Sequence, residues 1–289
     1  MIISSNKLGD YVHKSIIKRI LYNGSMDKNP RPKYKDGTPA HTKSINHVCY
    51  TYDLSKGELP LITLRYIAWK NAVKEILWIY QDQTSDLNVL RNQYGINWWD
   101  EWDIGDNSIG SCYGHTVKRY NLIDNLIKGL KEDPDGRRHI MNLWQEDEFK
   151  EPHGLKPCCY QTVWNVRYDE NDEAYLDMCL FQRSSDYLTA GVINQIQYIV
   201  LQYMIAQVTG YKVGKFTWMC ANVQIYDRHF DQAEELLKRY PISEINPKIV
   251  LNPNIKDFYD FRIDDIKIED YDKSIINEIN PQLKFDIGI

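Results

Sequence analysis

Two stretches decide the fold: YQTVWNVRY at residues 160–168 and AYLDMCLFQ at residues 174–182. Both are rich in aromatic, β-branched and other apolar side chains, and the turn-forming run NDE lies between them at 171–173. This pattern predicts a strand–turn–strand unit. A further strand is predicted at 216–226, and strands and helices do not alternate regularly along the chain. The fold class is therefore α+β rather than a doubly wound parallel sheet.

Helical patterns flank these strands. An amphipathic helix is predicted at the start of the chain, and the apolar stripe in residues 64–82 predicts a second helix. Residues 191–210 predict a mostly buried helix, and FDQAEELLKRY at 230–240 predicts a charged helix. In residues 64–82, Glu75 interrupts a face that is otherwise apolar. Such a carboxylate either faces solvent or is buried for a function, and the pattern alone leaves both open. From residue 246 onward, we expect short strands and turns.

Composition limits the classes of function. The chain has 289 residues, 43% of them hydrophobic, which is enough for one large domain or two small ones. A net charge of -5 argues against a general nucleic-acid binder, although it permits a local phosphate pocket. Residues 193–208 are apolar but contain four glutamines, so no membrane helix is expected. The start lacks an apolar signal core, and the six cysteines show no disulfide or metal spacing, so we expect a cytoplasmic protein with reduced thiols.

Three short segments could carry chemistry. Pro157-Cys158-Cys159 precedes a strand, Gln182 to Asp186 ends another strand, and Arg137-Arg138 follows a turn. Arginines clamp phosphates, and a thiolate near such cations is expected to have a lowered pKa and to act as a nucleophile. Each segment alone is weak evidence for a functional site, because most cysteines are inert and adjacent arginines usually form ordinary ion pairs.

The segments together are much more specific, and the chain resembles the thymidylate synthase family over nearly its whole length. The matching motifs, in chain order, are Asp36–Thr42 (DGTPAHT), Lys74–Trp78 (KEILW), Trp99–Trp102 (WDEW), Gly110–Gly114 (GSCYG), Asp135–Arg138 (DGRR), Leu155–Cys158 (LKPC), Gln182–Asp186 (QRSSD), Asn194, Gln224–Tyr226 (QIY) and Arg228-His229. The resemblance implies a single catalytic domain spanning residues 1–289. It also implies a large mixed β-sheet packed with helices, with one sheet face forming a homodimer interface.

The resemblance implies reductive methylation of dUMP to dTMP. The co-substrate would be 5,10-methylenetetrahydrofolate, which leaves as dihydrofolate, with no metal and no obligatory nucleic acid. Cys158 matches the nucleophile that adds to C6 of uracil and makes C5 reactive. Asn194 matches the amide that pairs with N3 and O4, Glu75 the carboxylate that organises protons around O4, and Tyr113 the tyrosine implicated in removing the C5 proton.

The remaining matches concern binding. Arg183 and Ser184 match phosphate ligands, with Arg31 as the loop arginine and Arg137 and Arg138 as a pair supplied by the partner subunit. Tyr226 matches the ribose-binding tyrosine, and Gln182, Asp186 and Gln224 are also assigned to the dUMP site. Folate contacts are assigned to Trp99, Asp186 and the C-terminal Ile289, whose segment would close over the ligands.

The chain departs from the family pattern at several positions. Gln224 replaces a histidine, Ala221-Asn222 replaces Gly-Asp, the loop at 188–193 is altered, and Cys159 stands where many relatives carry histidine. One alternative is a deoxyuridylate hydroxymethylase, in which water captures the methylene intermediate, although Trp99 and the closing tail should disfavour water. Another is a non-catalytic nucleotide- or RNA-binding relative. A metalloenzyme is a third idea, but His139, His153 and His229 fit no usual ligand motif.

Overall fold

The structure is a computed structural model that describes residues 7–149, 155–286 and 288. The α-helices within these residues are α1 (Leu8–Asn23), α2 (Trp69–Tyr80), α3 (Leu87–Tyr94), α4 (Gly114–Arg119), α5 (Leu122–Glu132), α6 (Val192–Thr209), α7 (Phe230–Lys238) and α8 (Lys273–Ile279). The strands are β1 (Ser25–Met26), β2 (Thr42–Asp53), β3 (Ile140–Asn142), β4 (Cys159–Tyr168), β5 (Ala174–Asp186), β6 (Lys212–Tyr226), β7 (Lys248–Leu251) and β8 (Ile266–Glu269). The α+β fold class is confirmed.

A mixed six-stranded sheet forms the centre of the molecule, with strand order β1-β2-β6-β5-β4-β3. The β5–β6 pair is parallel and the other pairs are antiparallel. Parallel neighbours need a crossover connection, and α6 supplies it here. Strands β7 and β8 form a separate antiparallel pair. Because β4, β5 and β6 are adjacent, the segments Pro157–Cys159, Gln182–Asp186 and Gln224–Tyr226 come together in space.

The predicted strand–turn–strand unit is confirmed as β4 and β5, paired from Tyr168 opposite Ala174. The Asp169 carboxylate closes the turn by accepting hydrogen bonds from the backbone N–H groups of Asn171 and Glu173 at 2.9 and 3.0 Å. An Asp side chain that bonds the backbone two residues later is a common turn former. The polar run between the strands therefore has a direct structural role.

The helix predicted at 64–82 is wrong at its N-terminal end, since α2 begins only at Trp69. The preceding residues are held outside the helix by side chains from distant parts of the chain. The Asp10 carboxylate accepts the backbone N–H of Thr63 at 2.6 Å, and the Tyr271 hydroxyl accepts that of Ile67 at 3.0 Å. The apolar stripe could not reveal these contacts. Helix α8, in a region expected to hold only strands and turns, was also missed.

Four glutamines on α6 explain why this buried helix is not uniformly apolar. Gln202 donates to the carbonyls of Leu176 and Lys215 at 2.8 and 3.0 Å, next to the register shift between β5 and β6. Gln207 donates to the carbonyls of Asn252 and Ile255, each at 2.9 Å. Buried backbone carbonyls need such partners. Among the described residues, no helix is long and apolar enough to cross a membrane.

Helices α1 and α6 pack on one face of the sheet, where Leu180, Phe216 and Trp218 are fully buried. On the opposite face the alternate residues are partly or fully exposed, including Met219 at 39% and Cys49. All six cysteines are free thiols. No helix among the described residues packs on this second face, and this helix-free sheet face is therefore open in the described part of a single chain.

Candidate active site

A cavity of about 490 Å³ lies where the ends of β4, β5 and β6 meet α2 and α6. It collects residues from distant parts of the sequence. The residues proposed from sequence that line it are Arg31, Glu75, Trp99, Tyr113, Cys158, Arg183, Ser184, Asp186, Asn194, Gln224 and Tyr226. The cavity therefore combines a thiol, cationic and hydroxyl groups, an amide, carboxylates and aromatic rings.

Four residues proposed from sequence are placed elsewhere or not described. Arg137 and Arg138 are exposed in the loop that precedes β3, outside the cavity wall. Gln182 is 2% exposed and lies behind Asn194, so it supports the wall rather than forming its surface. Ile289 lies outside the described residues.

Cys158 immediately precedes β4, and its backbone is held on both sides. Its N–H donates to the Tyr113 hydroxyl at 2.9 Å, and its carbonyl accepts the N–H of Arg183 at 2.8 Å. Burial raises the pKa of the Cys158 thiol, and the positive charge of Arg183 only partly opposes this. The expectation of a lowered pKa is therefore wrong, because desolvation of the thiolate outweighs one nearby cation.

Arg183 also explains the shape of the chain before β4. Its Nε donates to the Pro157 carbonyl at 3.0 Å and its Nη2 to the Lys156 carbonyl at 2.8 Å. The guanidinium group thus holds the backbone of Lys156 and Pro157, the two residues before Cys158, in place. The cationic group and the thiol are fixed relative to one another by the β4–β5 pairing.

Tyr113 adopts a strained backbone conformation, with φ of 48° and ψ of -110°. Non-glycine residues seldom adopt positive φ, and at functional sites such strain is tolerated where it aims a side chain. The following Gly114 packs tightly, since a Cβ there would lie 2.2 Å from the Thr84 carbonyl oxygen. This close approach fixes the turn that directs the Tyr113 hydroxyl toward Cys158.

A chain of side-chain amides sets the orientation of Asn194. The Trp218 indole donates to Gln182 Oε1 at 2.8 Å, and Gln182 Nε2 donates to Asn194 Oδ1 at 3.0 Å. Asn194 Nδ2 then donates to Gln197 Oε1 at 3.0 Å. An indole N–H can only donate, so the direction of every bond that follows is determined. Asn194 therefore presents its oxygen as an acceptor and its nitrogen as a donor in fixed positions.

Glu75 is 5% exposed, which resolves the ambiguity left by the sequence in favour of burial. The Trp98 indole donates to Glu75 Oε2 at 2.6 Å. Burial raises the pKa of the Glu75 carboxyl, while the bonded Trp98 indole and the nearby N–H groups of Gln197 and Trp99 oppose the increase. A buried carboxyl with a raised pKa, facing a cavity, is typical of groups that hold or transfer protons.

Asp186 and the altered loop form the opposite wall. Residues Tyr187–Gly191 make a π-helical turn, and the Thr189 hydroxyl donates to Asp186 Oδ2. Burial raises the pKa of the Asp186 carboxyl, and the nearby His229 and Arg65 lower it in part. The unusual loop sequence thus supplies a hydroxyl partner for a carboxylate in the wall.

The turn that follows β6 connects the loop carrying Arg31 to the end of the chain. Arg228 Nη2 donates to Asp36 Oδ2 at 2.6 Å and to Thr38 Oγ1 at 2.8 Å, and its Nη1 lies 3.6 Å from an Asp286 carboxylate oxygen. Gly288 lines the cavity beside Tyr226. Both segments are therefore held by the turn at the end of β6.

Sequence reasoning missed Gln197 and Trp98 as cavity residues. A signal was present for Gln197, because positions three apart on a helix share a face and Asn194 was already selected. Within the described parts of the chain, no three His, Cys, Asp or Glu side chains gather in a group able to hold a metal ion. The cavity instead fits an anionic ligand with a planar ring that carries both a donor and an acceptor.

Comparisons with known proteins agree with this geometry. The family model described as thymidylate synthase matches residues 11–283. The thymidylate synthase of Lactococcus lactis subsp. cremoris (strain SK11) is 49% identical over 281 residues, covering 97% of this chain and 99% of that protein. That of Streptococcus agalactiae serotype III (strain NEM316) is 48% identical over 282 residues, with the same coverage. The solved structure of thermostable thymidylate synthase A from Bacillus subtilis matches with a TM-score of 0.87 and 37% identity, covering 97% of this chain and 99% of that one. The chain belongs to the thymidylate synthase family.

Proposed function

We propose that this chain, as a single catalytic domain over residues 1–289, converts dUMP and 5,10-methylenetetrahydrofolate into dTMP and dihydrofolate. The observation that carries the proposal is the cavity itself, in which the thiol of Cys158 and the oriented amide of Asn194 face the same space. Family membership supplies the reaction class, and the wall residues supply the means to perform it.

The base is selected by Asn194. Its oxygen accepts the N3–H of uracil and its nitrogen donates to O4, which matches the orientation set by Trp218 and Gln182. Cytosine presents an acceptor at N3 and a donor at C4, so both contacts would be lost. A pocket that leaves its buried polar groups unpaired rejects such a ligand strongly.

Catalysis begins when the Cys158 thiol loses its proton and the sulfur adds to C6 of the uracil. The electron pair of the C5–C6 double bond moves into the ring carbonyl, so that C5 becomes nucleophilic and negative charge develops at O4. C5 then takes the methylene group from the folate. Loss of the C5 proton then breaks the bond between the methylene carbon and the folate nitrogen, which leaves an exocyclic methylene on the base and tetrahydrofolate as the leaving group. Tetrahydrofolate transfers a hydride to that methylene as the sulfur is expelled, so that dTMP and dihydrofolate are formed.

Other wall residues bind and protect the reactants. Arg183, Ser184 and Arg31 bind the phosphate, Tyr226 and Gln224 contact the nucleoside, and Trp99 and Asp186 contact the folate. Tyr113 serves the removal of the C5 proton, and Glu75, protonated more readily because it is buried, organises protons around O4. The C-terminal segment, which includes Ile289, covers the bound ligands.

Product identification tests the proposal. The purified protein is incubated with dUMP and 5,10-methylenetetrahydrofolate, and both the nucleotide and the folate are identified by mass spectrometry. Dihydrofolate formed one-for-one with dTMP is the expected result. Formation of tetrahydrofolate and 5-hydroxymethyl-dUMP would mean that the protein is a hydroxymethylase instead. If neither nucleotide product forms, a binding protein would be favoured.

The second part of the proposal is a homodimer that shares arginines between its subunits. The helix-free sheet face, with exposed Met219 and Cys49, is the surface that a second copy would cover. Arg137 and Arg138 are exposed and lie outside their own chain's cavity, as expected for residues that complete the phosphate site of a partner.

Mixing two inactive variants tests this sharing. We expect Cys158→Ser and the double variant Arg137→Ala/Arg138→Ala to be inactive separately. Refolded together, random pairing makes half of the dimers mixed, and each mixed dimer has one complete site. Activity should therefore return to about a quarter of that of the unchanged protein.

The matched control mixes Cys158→Ser with Asn194→Asp. Both residues line the same cavity of one chain, so no mixed dimer contains an intact site, and activity toward dUMP should not rise above the low level that Asn194→Asp retains by itself. Recovery of activity in this control would contradict arginine sharing. So would a lack of recovered activity in the mixture that contains the arginine variant. The reaction assigned to the cavity would be unaffected by that outcome.

A further inference from the structure

Gln197 is a cavity residue with a fixed orientation. The direction of hydrogen bonding runs from Trp218 through Gln182 and Asn194, so Gln197 Oε1 must accept from Asn194 Nδ2. The amide nitrogen of Gln197 therefore points away from Asn194. Flipping this amide would set two N–H groups against each other, so the orientation is determined by chemistry.

The nitrogen of Gln197 is a buried donor with spare capacity. The side chain is 2% exposed and lines the cavity. The amide lies close enough to Glu75 to lower the pKa of that carboxyl, yet Nε2 reaches no acceptor at full hydrogen-bond geometry among the described residues. Buried donors in native proteins nearly always have partners. A cavity wall that keeps such a donor in place points to an acceptor on the ligand.

The position of the donor indicates which ligand atom it meets. Asn194 Nδ2 bonds Gln197 with one hydrogen and has a second for the O4 of uracil. The two amides are adjacent on the same face of α6, three residues apart, so an oxygen held by Asn194 lies beside Gln197. Glu75, itself held by Trp98, also lies near the Gln197 amide.

Building on the proposed function, we propose that Gln197 Nε2 donates a hydrogen bond to O4 of dUMP and stabilises the negative charge that O4 gains when Cys158 adds to C6. Gln197 is then a second donor to the same oxygen as Asn194. Because its side chain is fixed before substrate binds, the donor needs no reorganisation during the reaction, which is the condition under which such donors accelerate chemistry most.

Two variants of Gln197 separate this role from simple packing. Gln197→Met has a similar size and no donor, and Gln197→Glu keeps an oxygen that can accept from Asn194 but has a carboxylate where the donor was. We expect kcat for dTMP formation to fall by about 100-fold in Gln197→Met and at least as much in Gln197→Glu, with a much smaller change in KM for dUMP. The control is Gln195→Met, a glutamine of α6 that is equally buried, bonds the Gly191 carbonyl and does not line the cavity. It should lower the melting temperature without a comparable fall in kcat.

The C4=O stretch of bound dUMP gives a direct readout. In isotope-edited infrared spectra with dUMP labelled at C4, the unchanged protein should shift this band to lower frequency. In Gln197→Met the shift of this band should be smaller, because one donor to O4 is lost. In Gln195→Met the shift should equal that of the unchanged protein. A band and a kcat that are both unchanged in Gln197→Met would overturn the proposal. If the unchanged protein makes no dTMP, the proposed function itself fails, and this is seen before any variant is compared.

Discussion

Replacing Cys158 with serine should abolish dTMP formation, with a loss of at least about 10⁴-fold in kcat. A serine hydroxyl is far less acidic and less nucleophilic than a thiol, and the described residues that line the cavity include no histidine to act as the adjacent base that serine enzymes use. Binding of dUMP should persist. The contacts to Tyr113 and Arg183 are made by the backbone of residue 158, so they survive the substitution. Single-turnover assays and calorimetric titration with dUMP measure the two quantities.

Cys49→Ser is the control for removal of a thiol outside the cavity; because Cys49 lies on the sheet face proposed for dimer contact, dimer formation by this variant is verified before its activity is compared. It should retain activity close to that of the unchanged protein. Turnover retained in Cys158→Ser would remove Cys158 from the nucleophile role, whereas loss of both turnover and dUMP binding would indicate that the site had collapsed.

Replacing Asn194 with aspartate should lower kcat/KM for dUMP by at least about 100-fold and shift preference toward dCMP. A carboxylate cannot donate to O4 of uracil, while it accepts the exocyclic amino group of cytosine. Gln182 continues to donate to the side chain at position 194, but Gln197 loses its donor. Competition between dUMP and dCMP in one reaction, with both products quantified, measures the preference directly.

Asn254→Asp provides the charge-matched control at an exposed position away from the cavity. It should leave the ratio of the two rates unchanged. An Asn194→Asp variant with full preference for dUMP would mean that Asn194 does not select the base, and attention would turn to the remaining amides of the wall.

The sequence alone was sufficient for the hairpin, the buried helix and nearly half of the residues that line the cavity. These features depend on local information: β-branched and aromatic runs for β4 and β5, and short motifs whose order matches a known family. Long, strongly patterned elements are predicted well because nearby residues decide them. Segments that tertiary contacts hold, such as residues 61–67 bonded by Asp10 and Tyr271, are not.

The electrostatics of the site and the direction of its hydrogen bonds depend on tertiary packing and could not be predicted from the sequence. Arginine near Cys158 suggested a lowered pKa for the thiol, yet burial raises it, because the cost of desolvating a charge depends on surroundings assembled from the whole chain. The sequence contains Trp218, Gln182, Asn194 and Gln197 without indicating that they form one line of donors and acceptors. That line exists because β5, β6 and α6 bring the four side chains together, and a donor-only indole at its start fixes every later bond. The amino-acid sequence thus specifies which groups are present, and the packing of distant elements specifies what each group can do.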